Sequence, residues 1–333
     1  MEISILIISH SRLNLLGQCL DSISMAKTQM AIEIILGFNG DNESYDSFLQ
    51  ERTHSKMKIQ VEKLPKSSNG QARNELLSKC SGKYILFLDD DVTIPENYFL
   101  ALEKIIQDNP QLDIIGGPDL TPNHQTTLQQ AIGLCIQSYL AMGPTVYRHK
   151  KCNDKIINAT ESDLILCNLI IKRNIFFEDN LSFHPTISRN EENILLAKAR
   201  SLGKNIGYTS KIFVFHQRKN CIYKFIKAFI SSGYNRSKSC FILPESFRLI
   251  YFVPLIFIIY LIGLLFISNP IYFYPLYFYV ALLMLSIYQI YLKENCLKVI
   301  FLSFFLIIIT HLSYGIGLLA GLVSKYNWAK KND

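Results

Sequence analysis

The sequence predicts an α/β domain on a mostly parallel sheet, followed by an all-α region embedded in a membrane. Three observations carry that expectation. Short Ile-rich runs alternate with segments of helical period through the first third of the chain, the pattern of parallel strands joined by helices. Residues 249–323 hold only three charged side chains, Lys293, Glu294 and Lys298. Between these regions, residues 204–248 carry nine basic side chains against one acid, Glu245.

The strands and helices follow in order. Ile3–Ser9 is a short apolar run that reads as a buried strand, and Leu13–Ala26 has apolar residues at 13, 16, 20 and 23, a helical period. Ile32–Phe38 is a second strand closed by the turn-forming run Asn39-Gly40-Asp41-Asn42. Met57–Val61 is a weaker third strand, and Gly70–Lys79 is a short helix. Tyr84–Leu88 is a fourth strand that runs directly into Asp89-Asp90-Asp91. Pro95 opens a helix to Asp108, and Leu112–Ile115 is a further strand. Ligands of such sheets sit beyond the carboxyl ends of the strands, where Ser9-His10, Asn39–Asn42 and Asp89–Asp91 all fall.

The chain has 333 residues, room for about two domains, and its charged share of 18% lies below the ~25% usual for soluble domains. The formal charge of +7 is unevenly spread: residues 1–203 carry a net −4 and residues 204–248 a net +8. A basic collar beside an apolar tail fits a membrane surface rather than a nucleic acid. Leu249–Ser268 and Ile271–Leu292 are each near the ~20 apolar residues that cross a bilayer core. Val299–Val323 is a third such segment. Thr310, His311, Ser313, Gly315, Gly317 and Gly321 in its middle make a broken or re-entrant segment one expectation and a full span the other.

The positive-inside rule places the collar, and the front domain with it, in the cytoplasm. No basic residue precedes the short apolar run Ile3–Ile8, unlike a secretory leader. Eight scattered Cys with no CxxC pair fit a reducing compartment. The expected organisation is a catalytic domain over 1–219, a basic amphipathic interfacial segment over 220–248, two to three membrane helices over 249–323, and a short basic tail over 324–333.

Three consecutive carboxylates at a strand end repel one another unless something offsets their charge. Hard oxygen donors there suit Mg2+ or Mn2+ bridged to phosphate oxygens. A solvated acidic loop is the blander alternative, and the buried strand leading into the run argues against it.

At this point residues 3–218 resemble the family 2 glycosyltransferases, which have the GT-A fold. Ser4-Ile-Leu-Ile-Ile-Ser-His-Ser-Arg12 with Cys19-Leu-Asp-Ser-Ile23 resembles the family's first strand and helix. Ala72-Arg73-Asn74 ahead of Gly82-Lys-Tyr-Ile-Leu-Phe-Leu-Asp-Asp-Asp91 is similar to its donor-site segment. Gly116-Gly117-Pro118 and Cys167-Asn168-Leu-Ile-Ile-Lys-Arg173 resemble its acceptor-side strands. Arg189-Asn-Glu-Glu-Asn-Ile-Leu195 resembles its acidic catalytic motif, and Val214-Phe-His216 with Arg218-Lys219 its strand ending in His near the diphosphate. Six motifs in the family's order are far more specific than any one of them.

The resemblance implies the roles. Asp91, with Asp89 and His216, would ligate Mg2+ or Mn2+. Ser9, Asn39, Asp41, Arg73, Asp89 and Asp90 would line the nucleotide, and His216 with Arg218 or Lys219 would face the diphosphate. Glu192 would be the base that takes the acceptor hydroxyl's proton, with Glu191 beside it. The same two acids also suit a plain helix N-terminus. One departure stands out: Phe38 occupies the place where the family usually carries an Asp for the nucleobase or ribose, so a UDP-sugar donor is only the default. The family's processive synthases carry Gln-x-x-Arg-Trp, and the single Trp here, Trp328, lies outside any such motif. In Cys221–Tyr234, Ile222, Phe225, Ile226, Phe229 and Ile230 share one helical face, an interfacial pattern. Together these readings imply a membrane-anchored, inverting transferase that moves one sugar from a nucleotide donor to a lipid-linked or envelope saccharide. Transfer to polyprenyl phosphate, and a catalytically silent nucleotide-binding scaffold, are the alternatives.

Overall fold

The computed structural model describes residues 2–40, 45, 47, 48, 58–154 and 158–329. In chain order its elements are β1 (Glu2–Ser9), α1 (Leu13–Met25), β2 (Ala31–Asn39), β3 (Lys58–Leu64), α2 (Asn69–Leu77), β4 (Tyr84–Asp89), β5 (Val92–Thr93), α3 (Tyr98–Asp108), β6 (Ile114–Gly116), β7 (Asp119–Leu120), α4 (Thr127–Ile136) and α5 (Tyr139–Met142). There follow β8 (Leu169–Lys172), α6 (Asn174–Glu178), α7 (Glu192–Ser201), β9 (Ile206–Tyr208), β10 (Val214–His216), α8 (Ile222–Ile242), α9 (Val253–Leu264), α10 (Tyr274–Tyr291) and α11 (Leu297–Ala329). Two compact units result. One comprises Met1–Pro122 and Lys150–Gln217, the other Asn123–His149 and Arg218–Asp333.

The first unit is built on a seven-stranded sheet in the order β3-β2-β1-β4-β8-β6-β9. Its β1 is buried on both faces, which is why Ile or Leu fills every position from Ile3 to Ile8 except Ser4. The helix α1 covers one face through Leu16, Cys19, Leu20 and Ile23 at helical spacing. β2, β1 and β4 run parallel, but β8 lies antiparallel between β4 and β6, so the sheet is mixed rather than wholly parallel. The third strand extends to Leu64, past the expected end at Val61, because Glu62 and Lys63 continue the ladder along β2. As an edge strand it is only half buried, which blurs its apolar alternation.

A second, three-stranded sheet, β5-β10-β7, joins the stretch after β4 to the end of the unit. Val92 pairs with His216, and Asp119 with Val214. Strand order reverses direction at the β1–β4 boundary, and Ile8 pairs with Asp89 there. That boundary is the switch point at which open α/β sheets form their crevice.

The second unit contains α4 and α5 as well as everything from Arg218 onward. The stretch 123–149, which the sequence places inside the catalytic domain, therefore clusters with the C-terminal helices. Thr126 and Gln129 close a capping box at the start of α4. Residues of α4 then pack with Phe225, Leu283, Val299, Leu306 and Ile307.

Two segments of the tail take definite form. Of the readings open for Val299–Val323, the structure has the unbroken one: α11 runs continuously from Leu297 to Ala329. Its polar residues are satisfied without a break. Thr310 Oγ1 donates back to the Leu306 carbonyl at 2.8 Å, and His311 lies between Tyr279 Oη at 3.0 Å and the Leu140 carbonyl at 2.7 Å. Its glycines serve close approach. A Cβ on Gly317 would lie 2.1 Å from the Ile230 carbonyl oxygen of α8. The first apolar segment, Leu249–Ser268, is the short one: a 3-10 turn at Leu249–Phe252 precedes a helix that ends at Leu264. Among the described residues, Pro270–Tyr291 and Leu297–Ser324 are the two helices with the length and apolarity of membrane spans, and the former is largely exposed.

Candidate active site

Three strand ends bring the site together inside the first unit. β1 delivers Ser9, β4 delivers Asp89 and the turn Asp90-Asp91, and β10 delivers His216 across the ladder from Val92. The Gln217 N–H donates to the Asp91 carbonyl at 3.0 Å and pins that turn. A Cβ on Gly117 would fall 1.8 Å from the Ile212 carbonyl oxygen, so only glycine lets β7 approach closely enough to present Asp119.

The acids divide into neutralised groups. Arg12 donates from its two terminal nitrogens to Asp90 and Asp91, and Ser9 Oγ donates to Asp90 at 2.7 Å. His216 Nε2 lies 3.2 Å from Asp91 Oδ1, while its Nδ1 lies 2.7 Å from Asp119 Oδ2. Arg73 donates to Asp89 Oδ1 at 3.1 Å and to Glu191. Arg189 is half-buried beside the same charges: desolvation lowers its pKa, and Glu191, Glu192, Asp89 and Asp91 offset that only in part.

Burial also dominates Asp90, whose carboxyl is pushed up to about 6 although Arg12 and Ser9 favour its ionised form. For His216, burial is opposed and outweighed by the charge of Asp91 and the hydrogen bonds to Asp119 and Asp91. Its pKa stands well above the ordinary value. One carboxylate oxygen each from Asp89 and Asp91 and one ring nitrogen of His216 lie within 4.8 Å of one another. Hard oxygens with one imidazole form a donor set that fits a divalent cation. Asp119, Cys167 and His216 form a second close triple.

The residues singled out from sequence fare unequally. Ser9, Asp90, Asp91 and His216 are linked through Arg12, and Asp89 and Glu191 through Arg73, the two sets meeting where Asp89, Asp91 and His216 lie within 4.8 Å of one another. Glu192, buried at the first turn of α7, lies within electrostatic reach of Arg189. Asn39 is committed elsewhere: its amide accepts from the Ser67 N–H at 2.9 Å and donates to the Ser67 carbonyl at 3.0 Å. Arg218 belongs to the second unit, where its carbonyl accepts from Gln129 Nε2 at 2.8 Å. Asp41 lies outside the described residues. Phe38 is fully buried and stacked on Tyr45 with centroids 3.7 Å apart, so it is a core residue.

The sequence left Arg12, Arg189 and Asp119 without roles. Each sits inside or directly after a quoted motif, at an end of the runs Ser4–Arg12, Arg189–Leu195 and Gly116–Pro118. The pairing of β7 with β10 brings Asp119 to His216, the pairing of β1 with β4 brings Arg12 to Asp90 and Asp91, and Arg189 lies in the field of Glu191, Glu192, Asp89 and Asp91.

Paired acids and cations thus gather at the switch point of a sheet of the GT-A type. Residues 4–176 match the family described as Glycosyl transferase family 2, and the chain belongs to that family. An uncharacterized glycosyltransferase of Haemophilus influenzae is 29% identical over 121 residues, 35% of this chain and 45% of that relative's length. Among solved structures, the mannosyltransferase PcManGT of Pyrobaculum calidifontis, in complex with GDP-Man and Mn2+, superposes with a TM-score of 0.56 at 11% identity. It covers 97% of this chain and 86% of its own. The 1–349 fragment of S. aureus TarS superposes with a TM-score of 0.50 at 13% identity, covering 71% of this chain and 65% of that one. At such identities the likeness is one of fold.

Proposed function

We propose that this chain is a membrane-anchored, cation-dependent, inverting glycosyltransferase that adds one sugar from a nucleotide-sugar donor to a lipid-linked or envelope saccharide. The observation that carries the reading is the Asp89, Asp91 and His216 donor set at the switch point, tied through Arg73 to the acids that open α7. Asp89, Asp91 and His216 would hold Mn2+ or Mg2+, which would supply positive charge against the departing nucleoside diphosphate. The donor class is supported by the fold it shares with a mannosyltransferase that binds GDP-Man and Mn2+.

The chain's own groups divide the work. Arg12, whose side chain is 43% exposed, is the cation best placed to meet diphosphate oxygens. Arg73 holds Asp89 and Glu191 in fixed relation, which aligns donor and acceptor sides. Glu192 accepts the proton of the attacking acceptor hydroxyl as the new glycosidic bond forms and the bond to the diphosphate breaks. The basic side chains over 204–248 and the two apolar helices support a multi-pass chain with the catalytic unit on the cytoplasmic face.

The test is nucleoside diphosphate release by the detergent-purified protein from UDP-, GDP-, CDP- and TDP-sugars with Mn2+, with and without a lipid-linked acceptor extract. Release of one nucleotide, raised by the extract and lost in Asp91→Asn, is expected. Silence across the panel from folded protein would overturn the reading. Full turnover by Glu192→Gln would point instead to an acceptor that is already ionised, such as a polyprenyl phosphate.

A further inference from the structure

His216 belongs to both candidate donor triples, and its two ring nitrogens assign it to one of them. Nδ1 is already engaged, 2.7 Å from Asp119 Oδ2 and 3.8 Å from Cys167 Sγ. Asp119 and Cys167 are both fully enclosed, so that side of the ring offers no position where a ligand could complete a coordination shell. Nε2 points the other way, 3.2 Å from Asp91 and towards Asp89, whose side chain is one-third exposed. The ring therefore has an inner nitrogen fixed by a buried carboxylate and an outer nitrogen at the crevice. A carboxylate on the far nitrogen of a metal-binding imidazole fixes its tautomer and strengthens it as a ligand.

We propose that Asp119 is a positioning residue that holds His216 by Nδ1, so that Nε2 completes the cation site with Asp89 and Asp91 and biases it towards a first-row transition ion such as Mn2+ over Mg2+. The proposal rests on the cation-dependent reading above. The fold supplies the means, since Asp119 in β7 and His216 in β10 sit in neighbouring strands whose pairing puts Asp119 opposite Val214. Side chains two residues apart on one strand share a face, so the register itself aims Asp119 at the imidazole side. The bias follows from ligand chemistry. Mg2+ favours oxygen donors and retains its waters, and each nitrogen donor added to a set shifts preference towards transition ions.

The test uses the full chain in detergent, titrated with Mn2+ alone and followed by electron paramagnetic resonance, then challenged with Mg2+. Wild type is expected to bind Mn2+ and to release it only to a large excess of Mg2+. Asp119→Ala is expected to bind Mn2+ about 10- to 100-fold more weakly, the loss typical when such an outer partner is removed. Asp119→Asn, which keeps an oxygen to accept from Nδ1–H, is expected to recover part of that loss. Both variants should yield Mn2+ to a smaller excess of Mg2+ than wild type does. Should the alanine variant fail to fold, the asparagine variant carries the test through a several-fold weakening and the same shift in Mg2+ competition. Equal Mn2+ affinity and equal Mg2+ displacement in wild type and variants would overturn the role of Asp119 while leaving the cation site standing. A wild-type protein that binds no Mn2+ yet releases nucleoside diphosphate would remove the cation site, and this proposal with it.

Discussion

Asp89 and Glu191 share a single guanidinium: Arg73 donates to Asp89 at 3.1 Å from one terminal nitrogen and to Glu191 from the other. The end of β4 and the start of α7 are thereby held by one planar fork, itself packed against the ring of Phe183. Arg73 and Glu191 are almost wholly buried, so neither charge has water to fall back on. Arg73→Met leaves two carboxylates facing each other and is expected to cost about 3–5 kcal/mol of stability. Arg73→Lys keeps the charge but not the fork, so it should fold better while still losing most turnover. Thermal unfolding in detergent, alongside nucleotide-release rates for both variants, checks the pair.

Glu192 separates chemistry from donor binding. As the proton acceptor it acts on the acceptor hydroxyl alone, so Glu192→Gln should lower turnover by about 10²- to 10⁴-fold while leaving donor affinity close to wild type. Asp91→Asn should weaken donor and cation binding together. Isothermal titration with the nucleotide, set beside steady-state rates, distinguishes the two patterns. Parallel loss of affinity and rate in Glu192→Gln would show that this acid supports the fold of the site instead.

The two acidic runs illustrate how much of the site was legible. Asp89–Asp91 and Glu191-Glu192 stand out in sequence because acids at the end of an apolar strand or the start of a helix are locally unusual. Arg12 and Asp119 do not, since an Arg in a loop or an Asp after Gly-Gly-Pro is ordinary until its partner is known. Those partners come from strands far apart in the chain, and no local period encodes that β10 inserts between β5 and β7. The sheet's parallel part was legible from strand–helix alternation, whereas the antiparallel β8 was not, because its three-residue apolar run reads the same in either direction. The polar residues of α11 misled for a related reason. Thr310 and His311 look like a break until Thr310 is seen to donate back to Leu306 and α5 and α10 to supply the partners of His311.

Phe38 tests that boundary directly. The family's acid is absent at this position, but the ring is buried and stacked on Tyr45, so the position is structural. Phe38→Asp is therefore expected to destabilise the first unit by at least the ~3–5 kcal/mol of losing a buried aromatic, without tightening nucleotide binding. Chemical denaturation with and without the donor nucleotide checks both halves of the expectation.

Close helix contact in the second unit predicts a different kind of loss. The Gly317 position lies against the Ile230 carbonyl, and Gly233 of α8 lies equally close to the Tyr314 carbonyl of α11. Backbone atoms cannot swing aside as a side chain can, so Gly317→Ala must push α8 away from α11. Overpacking of this kind costs about 1–3 kcal/mol, and Gly317→Leu should cost more. Both variants should lower the thermal stability of the detergent-solubilised chain. Gly263→Ala, where an added Cβ meets nothing, should not.

Glu33 gives a pH dependence whose sign can be worked out. Its Oε1 accepts from Ser4 Oγ at 2.5 Å, the Ser81 N–H at 2.6 Å and Ser81 Oγ at 2.9 Å, which ties β1 and β2 to the turn before β4. Burial raises the carboxyl's pKa, but those hydrogen bonds outweigh it and hold the folded-state value below the ordinary one. A carboxyl depressed in the folded state binds its proton more readily when unfolded. Its contribution is therefore complete above the unfolded value of about 4.3 and is lost as pH falls through the folded value. Wild type should unfold at a higher temperature than Glu33→Gln near pH 7, and the gap should close as the pH is brought below about 4. A gap that stays constant over that range would show that the hydrogen bonds act without the charge.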